Sequence, residues 1–140
     1  MNAPDKITKQ ELQIARSDLL DAFAELEEVI ARLEARKNLK LNNASLGQRI
    51  ARLRKLPDEK PPIRLPQLLD ELAKLNELRT EIVHRQMNVA AVRGTAKALF
   101  IARQEGENFP PVARVISLEQ FRIITAKIKS LGKQFSGFEV

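Results

Sequence analysis

Leu12, Leu19, Leu26 and Leu33 recur every seven residues, with Ala15, Ala22 and Val29 between them and Phe23 and Ile30 widening the stripe. A helix returns residues seven apart to nearly the same side. The spacing therefore predicts one long amphipathic helix whose seam favours near-parallel packing on another helix. Its start is marked twice: Thr8 and Glu11 stand at capping-box spacing, and Ile7 and Leu12 at the positions of a hydrophobic staple. The helix is expected to fray between Lys37 and Asn43, where Asn38, Asn42 and Asn43 collect. Ser45 and Gln48 repeat the box and open a short basic helix with Leu46, Ile50, Leu53 and Leu56 inside. Pro57, Pro61, Pro62 and Pro66 then impose a helix-free connector, because proline lacks the backbone N–H and restricts the residue before it.

A third helix is expected from about Pro66 to about Met87, with Leu68, Leu69, Leu72, Leu75, Leu78, Ile82 and Val83 as its buried faces. Being apolar over more than half its circumference, it reads as the central helix. The period then changes. Val89–Val92 and Ala98–Ala102 read as short strands around a turn containing Gly94, and Val112–Ile116 as a candidate third strand after a loop with Gly106, Asn108, Pro110 and Pro111. The last helix carries a full start signal, with Ser117 and Gln120 as box and Ile116 and Phe121 as staple. Its stripe is Phe121, Ile124, Ile128, Leu131 and Phe135. The expected fold is mainly α: one domain over 1–140, an up-down bundle of about four helices with a small β-hairpin inserted before the last.

Composition narrows the chemistry. No Cys, Tyr or Trp is present among the 140 residues, which excludes a disulfide framework and thiolate zinc sites and fits a reducing compartment. No apolar run approaches the roughly 18 residues that cross a bilayer, and Met1-Asn-Ala-Pro-Asp-Lys6 lacks a signal core, so a cytoplasmic protein without membrane contact is expected. The net charge of +6 is unevenly placed. Asp18, Asp21, Glu25, Glu27 and Glu28 make an acidic stretch, whereas Arg32 to Arg64 is strongly basic. Such a block attracts nucleic acid through its field and counterion release; the plainer reading is a solvated helix surface.

His84 is the only histidine, five residues after Arg79. An imidazole moves protons near neutral pH, and a guanidinium holds two phosphate oxygens in a planar fork, so the pair is a plausible unit for phosphodiester chemistry. Five residues of ideal helix leave two side chains about 140° apart, so a shared face relies on the long Arg79 side chain curling around or on the helix ending near His84. The bland alternatives are a surface or capping histidine, and an Arg79 paired with Glu81 or with an acid of the first helix. Glu77, Glu81 and His84 occupy neighbouring turns, but such glutamates are usually solvated, and neither a metal nor a cofactor is expected. Ser45 and Ser117 have cap roles, and the glycines are scattered singly rather than gathered in a phosphate loop.

The run Leu78-Arg79-Thr80-Glu81-Ile82-Val83-His84 resembles the Arg-x4–6-His signature of the HEPN superfamily, small helical bundles, and the element order is similar from about Lys9 to Phe135. The resemblance implies a metal-independent endoribonuclease built on a homodimer, possible in a toxin–antitoxin or defence pair with an antitoxin-type protein partner. His84 would then assist proton transfer as a ribose 2′-hydroxyl attacks the neighbouring phosphate, and Arg79 would hold the phosphorus centre. Thr80, a weaker orienting group, stands where Asn, Asp or another polar residue is common, and Gln86 stands where one branch of the family has Tyr. Many members are inactive binding modules. Two alternatives therefore stand beside the nuclease: an RNA-binding protein using Arg49, Arg52 and Arg85, and a non-catalytic helical homodimer that binds another protein or a nucleotide. The apolar surplus of the first and third helices favours a homodimer.

Overall fold

A computed structural model describes residues 7–36, 45–55, 65–102 and 112–137. Its elements run α1 (Lys9–Arg36), α2 (Leu46–Arg54), α3 (Leu65–His84), β1 (Met87–Val92), β2 (Thr95–Ala102), β3 (Val112–Ile116) and α4 (Leu118–Ser136). The expected fraying of the first helix and most of the proline connector, with Leu56, lie outside the described residues.

Local signals set the helix starts. Ser45 and Ser117 each accept a hydrogen bond from the amide of the residue three further on, while Gln48 and Gln120 reach back to the cap amides, so both boxes are complete. At α1 the Glu11 amide donates to the Thr8 hydroxyl at 3.1 Å. Each such cap is worth about 1 kcal/mol, because it satisfies amides that have no partner within the helix.

The heptad seam of α1 is buried as its spacing predicts: Leu12, Ala15, Leu19, Ala22, Phe23, Leu26, Ile30 and Leu33 all face the core, with Val29 half-buried. Burying a Leu or Phe contributes about 1.5–3 kcal/mol, so this helix carries a large share of the stabilisation. Its main partner is α4, through Phe121, Ile128, Leu131 and Phe135. Leu26 touches the space beside Gly132, and residues 11–18 lie beside residues 118–129, so α1 and α4 run in the same direction. The third helix runs against them: Arg79 meets Glu27, while the later residue Ile82 meets the earlier residue Arg16. A simple up-down order would set α1 against α4. The sheet lies between α3 and α4 in the chain, and α4 leaves it parallel to α1.

The expected hairpin is one strand larger. β2 pairs antiparallel with β1 and with β3, in the order β1-β2-β3. A two-residue turn joins β1 to β2, with Arg93 at φ 52° and Gly94 at φ 79°. Both positions are left-handed, as a turn matching the twist of paired strands requires; glycine adopts this freely and arginine does not. Ala98, Phe100 and Ile116 point inward, and the Phe100 ring meets Phe121 edge-on at 6.4 Å and 76°, joining sheet to bundle.

α3 is not the central helix. Leu68, Leu69, Leu72 and Ile82 are buried, but Leu75 and Leu78 are half-buried and Val83 is 42% exposed. Its most extensive helical contact is with the short α2, while α1, packed along α4, takes the central place.

Candidate functional site at the end of helix α3

Arg79 and His84 both lie on the last two turns of α3, and the helix ends at His84. The Arg79 side chain is directed at α1. Its guanidinium lies 3.1 Å from the Glu27 carboxylate, and its Cζ sits 5.9 Å from the centre of the Phe23 ring. His84 is exposed. The structure thus places Arg79 in the plainer of the two roles its sequence suggests, bound to an acid of the first helix. An ion pair between half-exposed groups is worth about 0–1 kcal/mol, and the cation–π contact adds a similar amount.

The Thr80 hydroxyl donates to its own helix, bonding the Asn76 carbonyl at 2.9 Å. The hydroxyl's one proton is thus used within the helix, and only its acceptor capacity faces outward.

Around His84 the neighbouring charges are arranged as pairs. Glu81 receives a hydrogen bond from Arg114 of β3 and lies 4.0 Å from Arg85. The hydrogen bond from Arg114 to Glu81, together with the charges of Glu81 and Glu77, holds that guanidinium above its ordinary value against the opposing effect of burial. Arg16 of α1 donates to the Ile82 carbonyl at 2.8 Å, tying the last turn of α3 to α1. Among the described residues no three His, Asp or Glu side chains gather closely enough to hold a metal ion.

Of the three arginines expected to contact RNA, two share helix α2 and the third follows the end of α3. Arg49 lies on α2, 3.8 Å from the Glu34 carboxylate, and Arg85 is engaged with Glu81. Arg52 is exposed on α2, where its charge acts on Glu34. Nearby, Arg54 pairs with Asp70 at 2.9 Å. The basic charge of α2 is therefore partly neutralised by the helices it packs on. No described helix is long and apolar enough to cross a membrane.

Sequence reasoning missed Glu34. It is 2% exposed, the only buried charged side chain among the described residues, and neither carboxylate oxygen makes a hydrogen bond. Burial raises its pKa, against the lowering effect of Arg49 and Arg52. The signal was present: Ile30, Leu33 and Glu34 follow the i, i+3, i+4 spacing of an inward face.

A second missed feature is aliphatic. The outward face of the sheet carries Ala90, Val92, Leu99, Ile101, Ala113 and Val115, with Asn88, Thr95 and Lys97 as its polar members. Ile101 is 46% exposed and Val115 42%. Val115 also lines an open depression of about 250 Å³ between β3 and α4, with Leu78, Ile123 and Ile124 as its other exposed or half-buried aliphatic members and Arg114 and Gln120 as its polar ones.

Compared with known proteins, the chain matches no family model, no curated protein and no solved structure.

Proposed function

We propose that this chain is a non-catalytic helical homodimer that binds another protein. The observation that carries the reading is the outward face of the sheet. An antiparallel sheet with one face in water alternates apolar and polar side chains, whereas here six of the nine outward positions are aliphatic and only Asn88, Thr95 and Lys97 are polar. Ile101, Ala113 and Val115 are exposed together on adjacent strands, beside the half-buried Leu99, and an aliphatic cluster left open to water suits a protein contact. The pairing of Arg79 with Glu27 and Phe23 supports the same reading, since it gives the guanidinium a structural role.

The test is a photo-reactive side chain at position 101, with position 127 on α4 as control, illuminated in the native cell. Adducts to a second protein, specific to position 101, support the proposal. RNA adducts, or none above the control, overturn it.

A second reading keeps a HEPN-type endoribonuclease, and the observation favouring it is the exposed imidazole of His84 at the end of α3. Incubating the chain with RNA in EDTA decides. Cleavage that disappears in His84→Ala establishes the nuclease; absence of cleavage, or cleavage that persists in the variant, removes it.

A further inference from the structure

The parallel pair α1 and α4 encloses an open groove of about 400 Å³, lined by Glu11, Ile14, Ala15 and Asp18 on one side and Leu118, Arg122, Ala126 and Lys129 on the other. Its floor is apolar, and Ile14 is 54% exposed there, the most exposed large aliphatic side chain among the described residues.

The rims differ in sign. Glu11, Asp18 and Glu25 recur at seven-residue spacing on α1, which keeps them within about 40° of one another around the helix. On α4, Arg122, Lys129 and Lys133 fall within a similar arc. One rim is acidic and the other basic. Among the described residues none of these six side chains takes part in an ion pair within the chain. Because Leu26 lies level with Gly132, α4 ends near the level of Ile30, so Arg32 and Arg36 fall beyond the groove.

We infer that this groove is the interface between two copies of the chain, related by a two-fold axis running along the groove. The inference rests on the homodimer reading above and gives that dimer its surface. Rotation about such an axis keeps all four helices parallel and lays α1 of each copy on α4 of the other. Glu11, Asp18 and Glu25 then face the partner's Arg122, the partner's Lys129 and the partner's Lys133, and the symmetry repeats the set. An axis across the groove would instead lay α1 on α1, acid against acid. Charge therefore selects both the partner and the orientation, in the way flanking charges choose pairing in coiled coils. The exposed Ile14 is enclosed in the same step.

This arrangement also bears on α3. Arg16, which holds the end of α3, is two residues from Asp18 and so about 160° around α1 from it. The end of α3 packs on the side of α1 opposite the groove, and the two His84 rings stay on the outside of the dimer.

Two variants test the proposal. One carries Glu11→Lys, Asp18→Lys and Glu25→Lys; the other carries Arg122→Glu, Lys129→Glu and Lys133→Glu. Each face is then uniform in charge, so each variant alone should lose self-association, with the dimer dissociation constant raised about a hundredfold or more. Mixed in equal amounts, they should form a heterodimer, and a chain carrying all six changes should dimerise again. Light scattering on a sizing column reads each state, with circular dichroism confirming the fold. Should a reversed chain fail to fold, Asp18→Cys with Lys129→Cys gives a disulfide between subunits instead. A wild-type chain that is monomeric at its highest soluble concentration overturns the dimer altogether. A wild-type dimer that both reversals leave intact, or an absent disulfide, overturns this surface while leaving the homodimer reading standing.

Discussion

Arg16 on α1 donates a 2.8 Å hydrogen bond to the carbonyl of Ile82, in the last turn of α3. The last carbonyls of a helix have no partner within it, so a cation from another element both satisfies one and complements the helix dipole. The contact spans 66 residues of sequence and anchors the segment from which β1 departs.

Arg16→Met should keep most of the packing and remove the bond, lowering stability by about 1–2 kcal/mol. Hydrogen exchange should accelerate most at the amides of Val83 to Met87. Uniform acceleration across all helices would show that Arg16 does not hold that turn.

Glu34→Gln should stabilise the protein at neutral pH. Burial raises the folded-state pKa of Glu34 above its ordinary 4.5, so the stability it contributes is present below that value and fades as pH rises through the folded pKa. The amide never ionises. The variant should melt higher than wild type by about 2–5 °C at pH 7–8, and the gap should close near pH 4. Thermal melts across that range check it, and a gap independent of pH would contradict it.

Arg93→Asn should stabilise the hairpin by about 0.5–1 kcal/mol, since Asn tolerates the left-handed backbone that arginine holds at φ 52°. Gly94→Ala, at φ 79°, should act in the opposite direction. Urea denaturation of the three chains orders them, and the reverse order would mean that the turn has a different geometry in solution.

Phe100→Ala should be the most damaging of these changes, costing about 3–5 kcal/mol. It removes the ring that meets Phe121 and leaves a void where sheet joins bundle. Replacement by Leu should recover most of the loss. If the alanine chain melts within a few degrees of wild type, the sheet is not packed on α4 as described.

Much of this architecture is legible before any tertiary structure is known. The seam from Leu12 to Leu33, the boxes at Ser45 and Ser117, and all three strands follow from local spacing and cap chemistry, which act within a few residues. Where the candidate side chains point does not follow. Arg79 turns to Glu27 and Phe23 because α3 packs antiparallel to α1, and nothing near Arg79 in the chain encodes that choice. The sheet's aliphatic outward face was hidden for a related reason: Ile101 and Val115 look like core residues until the pleat sends them to the outside.

The sequence alone determined the helical class, the helix starts, the heptad seam and the charge of each rim, because periodicity and capping are short-range. Only the tertiary structure decided that α1 and α4 run parallel, that Glu34 is buried, and that Arg79 belongs to Glu27. Those outcomes depend on which surfaces exclude water together, and that is a property of the assembled chain rather than of any stretch of it.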